Sequence, residues 1–264
     1  MTKSGTIAFL GLPNAGKSSF FNSCVGTKMA AVGRKPNLTI QGVQGVQTFK
    51  DAQFLFMDNP GFPLRITFLE NVDILCYLIN ATVGWTEEDR RWMEWVEKNK
   101  RPESKLLVFL SQIDRVPGYE VPVLPKFSES YEKIEPLSCK RKENISLFFE
   151  KLYCMIPNGA WISHSASSQE QLIQEHLREA LFRSLGQEVP YGCKTRVVHL
   201  KEDEKVIHIK TEIYPSKQNH KQMIIGKGGE KIRCISQHTR LSLEVLFQKK
   251  VFLTTEVKLG RNIQ

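Results

Sequence analysis

Residues 6–18 read TIAFLGLPNAGKS, and this stretch decides the fold of the first part of the chain. Its last eight residues, Gly11–Ser18, fit the pattern G-x-x-x-x-G-K-[ST], which binds polyphosphate when it joins a strand to a helix. The apolar run Thr6–Leu10 precedes the pattern as a predicted strand, and Ser18–Asn22 follows it as the predicted start of a helix. Backbone N–H groups of such a loop, together with the positive end of the helix dipole, form a cradle for phosphate groups.

The residue types of this loop suit different parts of a bound nucleotide. Gly11 and Gly16 permit a tight turn and a close approach of the backbone to phosphate oxygens. Lys17 is expected to reach the β- and γ-phosphates, and the Ser18 hydroxyl is expected to bind Mg²⁺. The residues predicted to contact the nucleotide here are Gly11, Leu12, Pro13, Asn14, Ala15, Gly16, Lys17, Ser18 and Ser19.

Strand-like and helix-like segments alternate through the first 156 residues. Ile74–Asn80 and Lys105–Leu110 are short continuous apolar runs, as expected for strands that are buried on both faces of a parallel sheet. Between them, Glu87–Lys98 carries Trp92 and Trp95 at helical spacing. The alternation predicts an α/β fold with a doubly wound, mostly parallel sheet. The other predicted elements are the strands Val43–Phe49, Gln53–Met57 and Ile134–Leu137 and the helix Ile145–Met155.

Three loops of this part carry suitable groups at the carboxyl ends of predicted strands, where ligands bind in a doubly wound sheet. Asp58 can bind Mg²⁺ through water, and the Gly61 N–H can contact a γ-phosphate. Asp114 can accept hydrogen bonds from N1–H and N2–H of guanine, and the segment that begins at Ser138 can support the ring from below. The predicted contacts in these loops are Asp58, Asn59, Pro60, Gly61, Phe62, Ser111, Gln112, Ile113, Asp114, Ser138, Cys139 and Lys140.

The composition excludes several classes of protein. An apolar fraction of 41% supplies a core, yet no run approaches the roughly 20 apolar residues that a membrane span needs. Met1–Gly5 lead directly into the first strand, so no signal or transit peptide is expected. The six cysteines form no C-x-x-C pair, which argues against a zinc site and for reduced thiols in a cytosol-like compartment.

Positive charge is concentrated near the C-terminus. The net charge is +9, and residues 189–264 contribute +8 of it, because they hold 15 Lys and Arg against 7 Asp and Glu. A basic segment of this kind indicates a surface for a polyanion, most often nucleic acid, although a solvated basic face has the same composition.

The same segment contains a glycine-rich turn, IIGKGG at Ile224–Gly229, between two predicted helices. Its glycines let the backbone approach single-stranded RNA closely, and Lys227 supplies a phosphate contact. An apolar groove lined by Ile224, Ile225, Ile232 and Ile235 is expected to take unstacked bases. The predicted RNA contacts are Ile225, Gly226, Lys227, Gly228, Gly229, Lys231 and Arg233. The predicted elements, in the order α-β-β-α-α-β, include the helices Gln169–Leu185 and Glu230–Phe247 and the strands Thr195–Leu200, Lys205–Tyr214 and Val251–Leu259.

Taken in order, these motifs resemble the Era family, a group of GTPases related to translation factors. Arg34–Thr39 is similar to the switch I region of that family, Ile156–Trp161 is similar to its inter-domain connection, and Glu188–Tyr191 is similar to the entry to its second domain. The resemblance implies two domains: a GTP-binding domain of the P-loop GTPase type, and a type II KH RNA-binding domain. It places them at residues 1–157 and 169–264, with a linker at residues 158–168.

The resemblance also implies a function. It describes a slow GTPase that switches between GTP and GDP, binds the 3′ end of small-subunit ribosomal RNA through its KH domain and assists small-subunit assembly. Lys17, Thr39 and Gly61 would act in hydrolysis, and Asn14 is similar to the asparagine that binds K⁺ in related GTPases. A monomer in the cytoplasm, with peripheral contact at the inner face of the cell membrane, is a further implication. The Mg²⁺ ligands that it implies are Ser18, Thr39 and Asp58.

The chain departs from the family pattern at three places. The guanine motif N-K-x-D reads Ser111–Asp114, so the bracing Asn and the base-covering Lys are missing. We expect this change to cost about 1–3 kcal/mol of nucleotide affinity. Only 12 residues separate Gly61 from Ile74, which leaves little room for the helix after switch II. Phe62 stands where Ras-like enzymes carry a water-orienting Gln, so hydrolysis would depend on the electrostatics around the phosphates.

These departures leave a second interpretation open, in which the chain is an RNA-binding ribosome assembly factor with a degenerate, weakly hydrolysing or inactive nucleotide domain. The altered residues Ser111 and Gln112 and the short switch II favour it. The intact loop at Gly11–Ser18, with Thr39 and Asp58, counts against it.

Overall fold

The computed structural model describes residues 2–26, 29, 42–58, 69–116, 134–160, 168–186 and 188–259. The chain divides into two compact units, of which the first includes the described residues within 2–26 and 42–160 and the second the described residues 168–186 and 188–259. Among the helices within the described ranges, none has both the length and the apolar composition that crossing a membrane requires.

The first unit is built on one six-stranded sheet. Its elements in chain order are β1 (Lys3–Leu10), α1 (Lys17–Val25), β2 (Val43–Phe49), β3 (Ala52–Asp58), β4 (Ile74–Asn80), α2 (Glu87–Asn99), β5 (Lys105–Ser111), a 3₁₀ turn (Ile113–Arg115), β6 (Ile134–Leu137) and α3 (Ile145–Met155). The strands lie in the order β2-β3-β1-β4-β5-β6. The β2–β3 pair is antiparallel and all other neighbours are parallel, which confirms the predicted mostly parallel sheet.

Strand β4 shows why the apolar runs form the middle of this sheet. Its first six residues, Ile74–Ile79, are all buried, since β4 lies between β1 and β5 and side chains of both its faces are covered. Helix α2 begins at a capping box in which Thr86 and Asp89 exchange hydrogen bonds. Strand β3 extends one residue beyond its predicted end, which places Asp58 at the carboxyl edge of the sheet.

Phenylalanine rings form the core below the loop between β1 and α1. The ring centroids of Phe9 in β1 and Phe20 in α1 are 4.9 Å apart, and those of Phe20 and Phe148 in α3 are 4.7 Å apart. Phe109 of β5 packs edge-on against Phe148. Both ends of the loop are therefore anchored in one aromatic core.

The second unit has the predicted order α-β-β-α-α-β with one added short helix. Its elements are α4 (Gln169–Ser184), α5 (Glu188–Tyr191), β7 (Cys193–Glu202), β8 (Val206–Pro215), α6 (Gln218–Ile225), a 3₁₀ turn (Lys227–Gly229), α7 (Glu230–Phe247) and β9 (Lys250–Val257). In its sheet β7 and β8 are antiparallel, while β8 and β9 are parallel.

The helices of the second unit cover one face of this sheet. Alternate residues of β8, among them Ile207, Ile209 and Ile213, are buried in the core, as is Val251 of β9. The side chains between them point to the other face, because successive residues of a strand alternate in direction. That outer face bears mainly polar and charged side chains.

Candidate functional site

The loop between β1 and α1 adopts a conformation that requires glycine at its first position. Gly11 has a φ of +136°, and a Cβ atom placed on it would lie 2.4 Å from the carbonyl oxygen of Leu78. Gly16, with a φ of +90°, is the N-cap residue of α1. The loop therefore ends at a helix N-terminus, where N–H groups are free of intrahelical partners and available to phosphate.

Lys17 folds back over this loop. Its Nζ donates hydrogen bonds to the carbonyl oxygens of Gly11 at 2.8 Å and Leu12 at 2.9 Å. Burial lowers the pKa of Lys17 to about 8, and the nearby charge of Asp58 opposes that shift. The ammonium group is thus held among carbonyl dipoles, and a polyphosphate would supply the negative charge that favours its protonated form.

Asp58 lies completely buried beside the start of α1. Its Oδ2 accepts a hydrogen bond of 2.6 Å from the Ser18 hydroxyl, whereas its Oδ1 has no partner among the described residues. Burial raises the pKa of Asp58 to about 6, against the opposing effects of the Ser18 hydrogen bond and the Lys17 charge. A buried carboxylate oxygen without a partner, next to a serine hydroxyl, is a donor set that fits a hard cation such as Mg²⁺.

The guanine loop Ser111–Asp114 is held to the phosphate loop by hydrogen bonds that the sequence did not predict. Ser111 is buried, and its hydroxyl donates to the carbonyl oxygen of Ala15 at 2.6 Å. The carbonyl oxygen of Ile79, at 3.0 Å, is a second acceptor for the same hydroxyl. The side-chain Nε2 of Gln112 donates to the carbonyl oxygen of Asn14 at 2.7 Å. The expected loss of polar bracing at Ser111–Asp114 was therefore wrong, because a hydroxyl and an amide both reach backbone carbonyls of the phosphate loop.

The carboxylate of Asp114 is fixed by a serine from the next loop. Ser138 is fully buried, and its hydroxyl donates to Asp114 Oδ1 at 2.7 Å while accepting from the Arg141 N–H at 3.2 Å. The structure thus brings together the two segments that the sequence assigned to guanine. Cys139 is half-buried, and burial raises the pKa of its thiol.

The other predicted nucleotide contacts differ in accessibility. Ile113 is buried in the core, so its side chain is directed away from any ligand. Pro13, Asn14 and Lys140 are exposed, whereas Ala15 is buried and Leu12 and Ser19 are half-buried. Five predicted residues lie outside the described residues, namely Thr39, Asn59, Pro60, Gly61 and Phe62.

Asn80 belongs to the same edge of the sheet, although sequence reasoning missed it. Its Nδ2 donates to the carbonyl oxygen of Asn14 at 3.3 Å, and its Oδ1 accepts from the N–H and hydroxyl of Thr82. Its position as the last residue of β4 was the available signal, because the carboxyl ends of the parallel strands line the site.

The glycine-rich turn of the second unit is accessible and glycine-dependent. Gly226, Gly228 and Gly229 all have positive φ angles, of 74°, 61° and 79°. A Cβ atom on Gly226 would lie 2.9 Å from the Lys231 side chain, whereas a Cβ atom on Gly228 would have no described neighbour within 4 Å. The turn exposes Lys227 and leads directly into the N-terminus of α7, so its backbone is open to a ligand.

The apolar groove predicted beside this turn is smaller than expected. Ile224 and Ile235 are fully buried in the core of the unit, and they cannot contact a base. Ile225 and Ile232 are half-buried. An isoleucine suits either a groove or a core. The orientation of the helices places Ile224 and Ile235 in the core. The basic side chains of Lys227, Lys231 and Arg233 are exposed.

Comparison with known proteins gives matches to both units of the chain. A family model described as a 50S ribosome-binding GTPase matches residues 6–111, and a KH domain model matches residues 188–262. GTPase Era of Coxiella burnetii (strain Dugway 5J108-111) is 30% identical over 279 residues, which cover 97% of this chain and 92% of the relative. GTPase Era of Clostridium botulinum (strain Hall / ATCC 3502 / NCTC 13319 / Type A) is 31% identical over 98% of this chain and 93% of the relative.

Solved structures of Era have the same fold. One is Era in complex with MgGDPNP and nucleotides 1506-1542 of 16S ribosomal RNA, with a TM-score of 0.88, 24% identity, and coverage of 98% of this chain and 94% of that chain. Another is a variant of Aquifex aeolicus Era bound to GDP·AlF₄⁻, with a TM-score of 0.86, 25% identity and the same coverage. Together with the two family models, the identity to the relatives over nearly the full length of both chains shows that this protein belongs to the Era family of GTPases.

Proposed function

We propose that this GTPase uses the cycle of GTP binding and hydrolysis to control its attachment to small-subunit ribosomal RNA during assembly of the small ribosomal subunit. The observation that carries the proposal is the presence of two built sites in one chain. One is the buried Asp58 carboxylate, hydrogen-bonded to Ser18 beside a glycine-dependent phosphate loop, and the other is an exposed G-K-G-G turn in a basic unit.

In the nucleotide site, the loop Gly11–Ser18 binds the phosphates and Lys17 exchanges its carbonyl partners for phosphate oxygens. Mg²⁺, which supplies charge neutralisation to the phosphates, is held by Ser18, Asp58 and Thr39. Lys17, Thr39 and the Gly61 N–H stabilise the transferring group. Among the described residues Asp58 Oδ1 has no partner, and this supports the assignment, since a buried carboxylate needs one.

In the base site, Asp114 accepts hydrogen bonds from guanine while the Ser138–Lys140 loop lies against the ring. The Ser138 hydrogen bond supports this role because it holds one carboxylate oxygen in place and leaves the other for the base. The braces from Ser111 and Gln112 argue against the alternative of a degenerate nucleotide domain, since they keep the base loop attached to the phosphate loop.

In the RNA site, the backbone of Gly226–Gly229 approaches single-stranded RNA while Lys227, Lys231 and Arg233 contact phosphates. The half-buried side chain of Ile225 borders the base groove. The RNA partner is the 3′ end of small-subunit rRNA, a proposal supported by the structure of the Era relative with nucleotides of 16S ribosomal RNA. GTP differs from GDP by the γ-phosphate that Thr39 and the Gly61 N–H contact, and this difference controls RNA binding by the second domain.

Several finer features belong to the same proposal. Asn14 is exposed at the phosphate loop with a φ of 63°, where its side chain is available to K⁺ beside the phosphates. The chain acts as a monomer in the cytoplasm, with peripheral contact at the inner face of the cell membrane through its basic charge. Equal turnover in K⁺ and Na⁺ would contradict the role of Asn14.

The nucleotide part is tested by comparing wild type with Lys17→Ala and with Lys98→Ala, a change of an exposed lysine on α2. GTP affinity and single-turnover hydrolysis are measured for each protein. Lys17→Ala should lose hydrolysis while Lys98→Ala keeps it. Hydrolysis by wild type no faster than by Lys17→Ala would show that this site does not perform the reaction.

A further inference from the structure

The outer face of the second sheet contains an open groove that the proposed function does not use. It has a volume of about 370 Å³ and lies across strands β7, β8 and β9. The side chains that line it on this face are those of His199, Lys201, His208, Lys210, Phe252 and Thr254.

This groove lies on the face of the sheet opposite to the helices. Ile207, Ile209 and Val251 are buried in the helix-covered core, and His208 and Phe252 alternate with them along β8 and β9. The side chains of His208 and Phe252 therefore point away from α6 and α7, and so away from the G-K-G-G turn that joins those helices.

An exposed aromatic stack forms the floor of the groove. His208 and Phe252 are register partners on the parallel strands β8 and β9, and their rings lie 5.7 Å apart between centroids at an interplanar angle of 29°. Phe252 is 68% exposed. Leaving so much of a phenyl ring in water costs free energy, while the ring offers a flat face to a ligand that stacks.

Two lysines lie beside this stack: Lys201 is the register partner of His208 on β7, and Lys210 is the next residue on the same face of β8. Lys210 pairs with Glu256 at 2.7 Å, and Asp203 lies 3.5 Å from Lys201 and 3.7 Å from His208. All of these side chains are more than a third exposed, and exposed ion pairs contribute little to stability. A phosphate group can therefore replace either carboxylate, since Lys201 and Lys210 each carry three donors.

We infer that this outer face is a second binding surface for single-stranded RNA, separate from the G-K-G-G turn. A base stacks on Phe252 next to His208, and the flanking phosphates bind Lys201 and Lys210. Protein partners fit the face less well, because the cores of protein interfaces are depleted of lysine and charge, whereas this ring is surrounded by both. The inference rests on the proposed function in one respect, namely that RNA is the polyanion which this unit binds.

The test uses the full chain and a fluorescent oligouridine of about 20 nucleotides, which is long enough to span two sites. Affinity is measured by anisotropy for wild type, Phe252→Ala, Phe252→Trp and Val245→Ala. Val245 is the matched control, because it is also 68% exposed but lies on helix α7. The variant Gly228→Asp, which acts on the glycine turn, provides a separate arm.

Phe252→Ala should weaken binding about tenfold, the size expected for the loss of one stacked base. Phe252→Trp should keep the affinity, and Val245→Ala should not change it. Photo-crosslinking of a 4-thiouridine oligonucleotide should label the peptide that contains Phe252 in wild type and in Gly228→Asp. Circular dichroism of each variant checks that the fold is kept.

Equal affinity of Phe252→Ala and Val245→Ala would overturn the inference. So would an RNA duplex of the same length that competes as well as the single strand. The proposed function is tested separately by Gly228→Asp. An unchanged affinity of this variant would show that the turn is not an RNA site, and it would not affect the conclusion drawn from Phe252. If wild type did not bind the oligonucleotide, both the inference and the proposed RNA-binding function would be wrong.

Discussion

The hydroxyl of Ser111 lies 2.6 Å from the carbonyl oxygen of Ala15, across 96 residues of sequence. A serine in the guanine motif therefore holds the phosphate loop in place. Ser111→Ala should weaken GTP and GDP alike by about 1–3 kcal/mol, because the buried Ala15 carbonyl loses its donor. Equilibrium titration with a fluorescent guanine nucleotide measures the change.

Ser104→Ala is the control for this prediction. Ser104 is also buried and donates to a backbone carbonyl, that of Val72, at 2.6 Å, but it directly precedes β5, at the end of the strand away from the loop. It should lower stability without changing nucleotide affinity. An equal loss of affinity in both variants would show that Ser111 acts only on the general stability of the unit.

Ser138 positions the carboxylate that reads the base. Ser138→Ala should lower GTP affinity about tenfold, since Asp114 can then rotate away from guanine, and the preference for GTP over ATP should shrink. Competition binding of the two nucleotides measures both effects. Ser138→Thr keeps the hydroxyl and should restore the preference, and its failure to do so would assign the effect to packing.

Two glycines with positive φ distinguish steric overlap from backbone strain. Gly11→Ala should cost more than about 3 kcal/mol, because the strain of a φ of +136° adds to an overlap with the Leu78 carbonyl. Gly26 has a φ of +77°, and within the described ranges nothing lies within 4 Å of a Cβ atom placed on it, so Gly26→Ala should cost about 1–2 kcal/mol. Urea unfolding of the two variants provides the comparison, and similar values would contradict the overlap.

The role of the glycine turn of the KH domain in RNA binding can be tested with two substitutions of equal size, one charged and one neutral. Gly228 has a φ of 61°, a conformation that Asp and Asn both tolerate, and in the part of the chain that the structure describes no atom lies near its Cβ position. Gly228→Asp should weaken RNA binding, because its carboxylate repels phosphate, and Gly228→Asn should weaken it much less. Anisotropy at physiological salt measures the two affinities. The charge argument is wrong if the two variants bind equally.

Glu212 gives the KH domain a dependence on pH. Its carboxylate accepts hydrogen bonds from Lys258 and Tyr214, and they hold the pKa of Glu212 below its ordinary value of 4.5. The folded pKa lies below the unfolded one, so this group stabilises the fold at neutral pH, and its contribution is lost as pH falls through the folded pKa.

Glu212→Gln should therefore lower the melting temperature at about pH 7 and change it much less at about pH 3. Glu204→Gln, in the exposed turn between β7 and β8, is the matched control and should have little effect at either pH. A loss of stability that is the same at both pH values would mean that the ionised carboxylate is not responsible.

The elements of the first unit could be predicted because their apolar runs are local and continuous. Ile74–Asn80 and Ile145–Met155 have the predicted bounds. Burial on both faces of a strand, or on one face of a helix, produces an apolar pattern within one short stretch of sequence. The phosphate loop was equally clear, because all of its groups lie within eight residues.

The bracing of the base loop could not be predicted, because it joins residues that are far apart in sequence. The contacts of Gln112 and Asn80 with Asn14 depend on the packing of three strand ends rather than on a motif. Ile224 and Ile235 show a related limit. An isoleucine beside a binding turn has the same side chain whether it lines the groove or the core, and only the rotation of its helix decides.

Lys17 also has a consequence for the speed at which nucleotide enters and leaves. Its Nζ already donates to Gly11 and Leu12, so the lysine occupies its own loop as an internal competitor. An arriving phosphate has to replace these two hydrogen bonds, so their loss offsets part of the free energy of phosphate binding and speeds nucleotide release. The same bonds re-form as nucleotide departs, so the loop can release its product without exposing an unpaired buried charge.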